Sequence, residues 1–225
     1  VQPTVLQIVA ILVQILPPAV APFARGALGP ARRWVVLWCL LLVLQDAVGY
    51  GLASLHLHNL WLWHVGAPVT GAAALWMLSL WHEPGTGRLA LRVAIPIFVG
   101  VSAALSLLVD DPTTFSLFAA PFHALVLLLA AVWTFVSRSL REQRRLVSCD
   151  WFWILTGLML YTGISTAIQA VVGVLFEAGR LDLISAIFQL KAGLTILAFV
   201  AIAGGMLRPL VPTPERPSSG NWPSP

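Results

Sequence analysis

From Asp182 to Leu207 the chain is predominantly apolar and carries one full charge well away from either end, Lys191. A run of this length and character spans a bilayer as a helix. Lys191 stands about 9 residues in from Asp182, which places it roughly 13 Å deep at about 1.5 Å per residue. A charge at such depth costs about 2.5–3.5 kcal/mol on insertion scales. The lysine is too far in to reach the near interface, so it is expected to face other helices and either to find a partner among them or to lose its proton.

Runs of the same kind recur along the chain. Seven apolar segments are predicted as helices, over residues 3–23, 33–55, 59–81, 89–109, 112–138, 151–176 and 182–207. Pro17, Pro18 and Pro22 break the first, and Pro68, Pro96 and Pro121 lie inside the third, fourth and fifth as expected kinks. Asn59, Asp111 followed by Pro112, Asp150 and Asp182 stand where helices should start, as capping residues do. With 59% hydrophobic and 10% charged residues and a mean hydropathy of +0.88, this is not the balance of a soluble domain. The expectation is an all-α, seven-transmembrane-helix bundle in the bacterial inner membrane, with the lipid bilayer as its solvent. No basic segment precedes the first apolar run, which is therefore read as a retained helix and not as a signal peptide. The Pro/Ser-rich stretch 212–225 has no helical period and should be disordered alone. Order there would require a partner protein, with Trp222 as its anchor.

Loop charges set the orientation. Arg25, Arg32, Arg33, Arg88, Arg92, Arg138, Arg141, Arg144, Arg145 and Arg208 fall in or beside alternate connections. The remaining connections carry Arg180 and several acids. This asymmetry places the N-terminus outside and the C-terminus in the cytoplasm. It also accounts for the net charge of +4, which is read as helix orientation and contact with anionic lipid, with no nucleic-acid partner. Many of the 10 tryptophans lie near segment ends, as an interfacial belt requires. Cys39 and Cys149, both near the cytoplasmic side, suggest neither a disulfide nor a metal site.

The polar residues inside the spans carry the functional argument. Asp46 lies about 9 residues from the outer end of its segment, at about the depth of Lys191. These two are the acid and the base expected near the core, either as a structural ion pair or as a ligand, ion or proton site. Tyr50 sits one turn outward on the same face as Asp46. His123 and Tyr161 are each about 10 residues into their segments, near the midplane, and His64 is shallower. Gln45, Thr70, Thr166, Gln169 and Gln189 add neutral donors and acceptors. His64 or His123 could ligate haem or chlorophyll, although a lone histidine per helix is more often a hydrogen-bonded core residue. His56, His58 and Asn59 lack a third clear metal ligand. No G-x-S-x-G, H-E-x-x-H or G-x-x-x-x-G-K pattern occurs, so a non-enzymatic protein is expected.

Asn59-Leu60-Trp61-x-x-His64, with an acid (Asp46) in the preceding helix, resembles a motif of uncharacterised bacterial seven-helix membrane proteins. The run Phe152-Trp153-Ile154-x-x-Gly157-Leu158-x-Leu160-Tyr161 and a lysine in the last helix, Lys191, complete the resemblance over residues 33–207. It implies that Asp46, Asn59, His64, Tyr161 and Lys191 belong to one shared site. A lysine in the last of seven helices is also similar to the retinal-binding rhodopsins, where Lys191 would form a Schiff base with Asp46 as counter-ion. The chain departs from that pattern: Ile187 stands where those proteins place an aspartate, and the third segment has no acid before Glu83.

Two functional classes follow. One is an accessory subunit of a larger membrane complex, with other integral subunits against the helices and the 212–225 tail. The other is a receptor-like or transporting bundle built around Asp46 and Lys191.

Overall fold

Lipid offers no hydrogen bonds to the backbone, so a spanning chain must satisfy its own N–H and C=O groups, and a helix does this within one segment. The computed structural model describes residues 4–24, 28–110 and 116–209, and among these every regular element is helical. Helix α1 (Val5–Leu12) opens on a capping box, in which Thr4 accepts from the Gln7 N–H while the Gln7 side chain accepts from the Thr4 N–H. A 3-10 turn (Val13–Ile15) follows, then α2 (Leu16–Val20) and a second 3-10 turn (Ala21–Phe23). Pro17 and Pro18 contribute no N–H, so the regular α ladder cannot run through them. The first rod is therefore segmented, as its prolines predict. The others are α3 (Pro30–Ser54), α4 (Trp61–Ser79), α5 (Thr86–Leu108), α6 (Ala119–Ser139), α7 (Asp150–Glu177) and α8 (Leu181–Leu207). Pro68 and Pro96 lie inside α4 and α5.

Six of these rods are long and apolar enough to cross a membrane: the first rod, α3, α5, α6, α7 and α8. Helix α4 is the exception, with 19 residues that include Trp61, His64, Pro68 and Thr70. It is nevertheless among the most enclosed, packed between α3, α5 and α6 with Thr70 to Ser79 mostly buried. The first rod, α3, α4, α6, α7 and α8 close a ring, each packing on the next, and α5 lies outside it against α4 and α6. An aromatic trio joins three walls of the ring. Trp38 of α3 stacks on Phe199 of α8 at 5.9 Å, and Tyr161 of α7 stands edge-on to both, at 5.8 and 5.5 Å. Leu44, Leu107, Leu129, Leu190 and Leu197 point outward, where a bilayer would cover them.

The largest interface is α7 against α8, and two glycines permit it. A Cβ on Gly157 would lie 2.5 Å from the Ala198 carbonyl oxygen, and one on Gly205 would lie 2.8 Å from the Asp150 carbonyl oxygen. Backbones this close are the usual means of helix association in lipid, where packing and not hydrophobicity drives contact. Gly157→Ala is expected to lower unfolding stability by about 1–3 kcal/mol, the usual cost of overpacking. Thermal denaturation in detergent checks this, and an unchanged midpoint would place slack in the interface.

Boundaries differ from expectation in two informative places. Helix α3 begins at Pro30, not at residue 33, so Arg32 is its third residue and not a loop arginine. The fifth apolar segment, expected from 112, enters its helix only at Ala119. The cap there is Asp110, whose carboxylate accepts from the N–H groups of Leu117, Phe118 and Ala119 and from the Ser116 hydroxyl. Asp111, Pro112, Arg25 and the tail with Trp222 lie outside the described residues.

Candidate functional site

Charges collect at one end of the bundle, where α3, α5 and α7 begin and α4, α6 and α8 end. Glu83 pairs with Arg141 at 3.3 Å across two connections. Arg88 donates twice to the His82 carbonyl oxygen, at 2.9 and 2.6 Å. Arg92 lies over the Trp76 ring at 4.5 Å and Arg138 over Trp151 at 5.7 Å. His82 bonds Thr134 at 3.1 Å and stacks against Trp133. Burial, and then the nearby Arg141, Arg138 and Arg88, hold the His82 imidazole below its ordinary range. Protonation therefore favours the unfolded chain. This contribution to stability is full above about pH 6.5, the ordinary histidine value, and is lost as pH falls towards the depressed one. His82→Gln should flatten the decline in thermal midpoint below about pH 6.5. An identical decline in the variant would assign the slope to other groups.

At the same end lies a buried ion pair that was not anticipated. Arg32 and Asp150 meet at 2.8 Å with side chains only 2% and 9% exposed. The guanidinium also donates to the carbonyl oxygens of Met206, at 3.4 Å, and Arg208, at 2.8 Å. It thereby satisfies carbonyls at the end of α8 that have no helical partner. Arg32 was read as a loop charge and Asp150 as a cap. The signal for Arg32 was Pro30, a residue suited to the first helical turn, two positions before it.

The expected midplane residues occupy the ring between the first rod, α3, α4, α7 and α8. Asp46 of α3 accepts a 2.8 Å hydrogen bond from the Gln14 side chain. Gln14 sits in the first 3-10 turn and is itself buried. It was overlooked, although a glutamine inside an apolar run is a visible signal. Lys191 of α8 places its ammonium 5.9 Å from the centre of the Trp63 ring. Asp46 and Lys191 are both half-buried. No contact within 4 Å joins them, and the ion pairs among the described residues are Arg32–Asp150, Glu83–Arg141 and Arg180–Asp182. Tyr161 is enclosed in the aromatic trio, and Tyr50 is exposed one turn outward from Asp46.

The remaining candidates fall elsewhere. Asn59 donates to the Gly49 carbonyl oxygen at 3.0 Å and fastens the α3–α4 connection. His64 has both ring nitrogens buried without a protein partner, and His123 has its Nδ1 likewise. His123 packs on Phe98 at 5.3 Å. A cavity lies between Trp63, His64, Ser102, Ser106, Ser116 and His123. A second, lined by Gln45, Trp63, Thr70, His123, Tyr161 and Gln169 among others, adjoins it. Among the described residues no group of three or more His, Cys, Asp or Glu side chains is placed to hold a metal ion. Comparison with protein-family models, with curated proteins and with solved structures finds no match for this chain.

Proposed function

We propose that the chain is a transporting or receptor-like membrane protein whose working site is the midplane set of Asp46, Gln14, Lys191 and Tyr161, taking a proton or a small polar ligand. The observation that carries this reading is the gap between Asp46 and Lys191. Asp46 is a half-buried carboxylate whose hydrogen-bond partner is the neutral Gln14, and Lys191 is a half-buried ammonium beside Trp63, with no ion pair within 4 Å joining the two. An unpaired acid and base in a bundle interior are candidates for a proton or ligand site, whereas a purely structural pair gains most by closing to direct contact. The reading calls on no cofactor.

All seven rods cross the membrane in this proposal. Helix α4 runs antiparallel to α3 along its length, tied at one end by Asn59 and at the other by Trp34 against Trp76 at 5.9 Å. The arginine-rich end is then cytoplasmic, the N-terminus outside, and the membrane the bacterial inner one. The test is flux of protons through reconstituted protein, compared between the natural chain and the variants Asp46→Asn and Lys191→Met. Unchanged flux in both, or none in the natural protein, would sink the reading.

A second reading, an accessory subunit of a membrane complex, is supported by the short connections and the large outward apolar surface of the rods. Purification in mild detergent separates the two, because an accessory subunit should elute with integral partners.

A further inference from the structure

Two cavities meet at Trp63 and His123. The outer one is bounded by Ser116, Ala119 and Ala120 at the start of α6, by Ser102 and Ser106 near the end of α5, and by His64 near the start of α4. All three are helix ends opposite the arginine-rich end. The inner cavity continues past Thr70 and Gln45 to Tyr161. Together they trace a line from the outer end of the bundle to the level of the proposed site.

Six buried polar atoms along this line lack protein partners. They are the Ser102 hydroxyl, both nitrogens of His64, the His123 Nδ1, and the side-chain oxygens of Gln45 and Gln169. Buried polar atoms in native proteins are almost always hydrogen-bonded, to protein or to ordered water. An apolar cavity stays dry, whereas a polar one with several such atoms holds water. The outer cavity has room for about one water and the inner for about two, and neither suits an organic solute.

We propose that these cavities hold ordered waters that, with His64 and His123, relay protons from the outer end of the bundle to Tyr161. The proposal rests on the midplane-site reading and names the proton as its substrate. Each step is a transfer along one hydrogen bond: a water gives a proton to a ring nitrogen or to the next water and takes one from behind. No bond other than O–H or N–H changes. The ionisable groups facing the line are Asp110 at its opening, where it bonds Ser116, then His64 and His123, then Tyr161, with Asp46 and Lys191 beyond.

Hydroxyl-radical footprinting of the full chain in detergent tests the water directly, because radicals formed from bound water label the side chains beside it. His123 and Tyr161 should label at least about tenfold faster than Phe199 once each is normalised to its rate in denatured protein. Phe199 is fully buried and borders neither cavity. Rates equal to that of Phe199 would overturn the proposal. Ser102→Val, which fills the outer cavity, should cut labelling at His123 severalfold and slow proton flux with it; should that variant not fold, Ser106→Val serves the same purpose. Unchanged flux with the cavity filled would also overturn it. The two readings fail separately. Dry cavities with Asp46-dependent flux would remove the water chain and keep the site, whereas a labelled path with flux indifferent to Asp46 and Lys191 would do the reverse.

Discussion

Arg32→Met should destabilise the bundle by about 3–5 kcal/mol, the usual effect of removing one partner of a buried ion pair. The size follows from what is left behind. Asp150 would keep a carboxylate in a pocket where it is 9% exposed, with its cation gone. The carbonyls of Met206 and Arg208 would lose their donor at a helix end that has no further helical N–H to offer. Asp150→Asn should cost less, because an amide still accepts one hydrogen bond from the guanidinium. Pairing Arg32→Met with Asp150→Leu should recover much of the loss, since a well-packed apolar pair is often as stable as an ionic one. Chemical or thermal unfolding in detergent measures all four proteins. A single variant with an unchanged midpoint would show that the pair is solvated and ordinary.

Lys191→Met should reduce proton flux roughly tenfold or more, a factor equivalent to about 1.4 kcal/mol, while the fold persists. Methionine preserves the length and apolar stem of lysine, so the packing on Trp63 is largely kept and only the charge is lost. Asp46→Asn tests the other half. It retains an acceptor for Gln14, so a loss of flux would report the missing charge and not a broken hydrogen bond. Gln14→Leu does the converse, leaving the charge and removing its donor. If activity followed Gln14 and ignored both charges, the site would be a structural clasp between the first rod and α3.

The architecture was largely legible because helix length and polarity in a membrane are set by the solvent and not by distant contacts. The apolar runs gave the rods to within a few residues, except where a cap or a proline moved the start. Arg32 shows the limit. Counting arginines in connections orients a bundle well, but it treats each as solvated, and nothing local says that this one turns inward to three helix ends. Gln14 was missed for a related reason: its meaning depends on Asp46, 32 residues away. Spacing predicts a height for Asp46 and for Lys191 but not an azimuth. Whether two groups at one level touch depends on helix rotation, which packing decides. His64 and His123 were visible as intramembrane histidines, but their common cavity arises from how α4, α5 and α6 pack.

The clasp formed by Arg32 gathers the beginnings of two rods and the finish of a third into a single knot. A sheaf bound at its base can splay only at the top. Breathing motions of this protein should therefore concentrate at the far rim, and hydrogen exchange should be slowest around Val35, Ile154 and Ile202 and fastest near Leu55, Leu57 and Leu108.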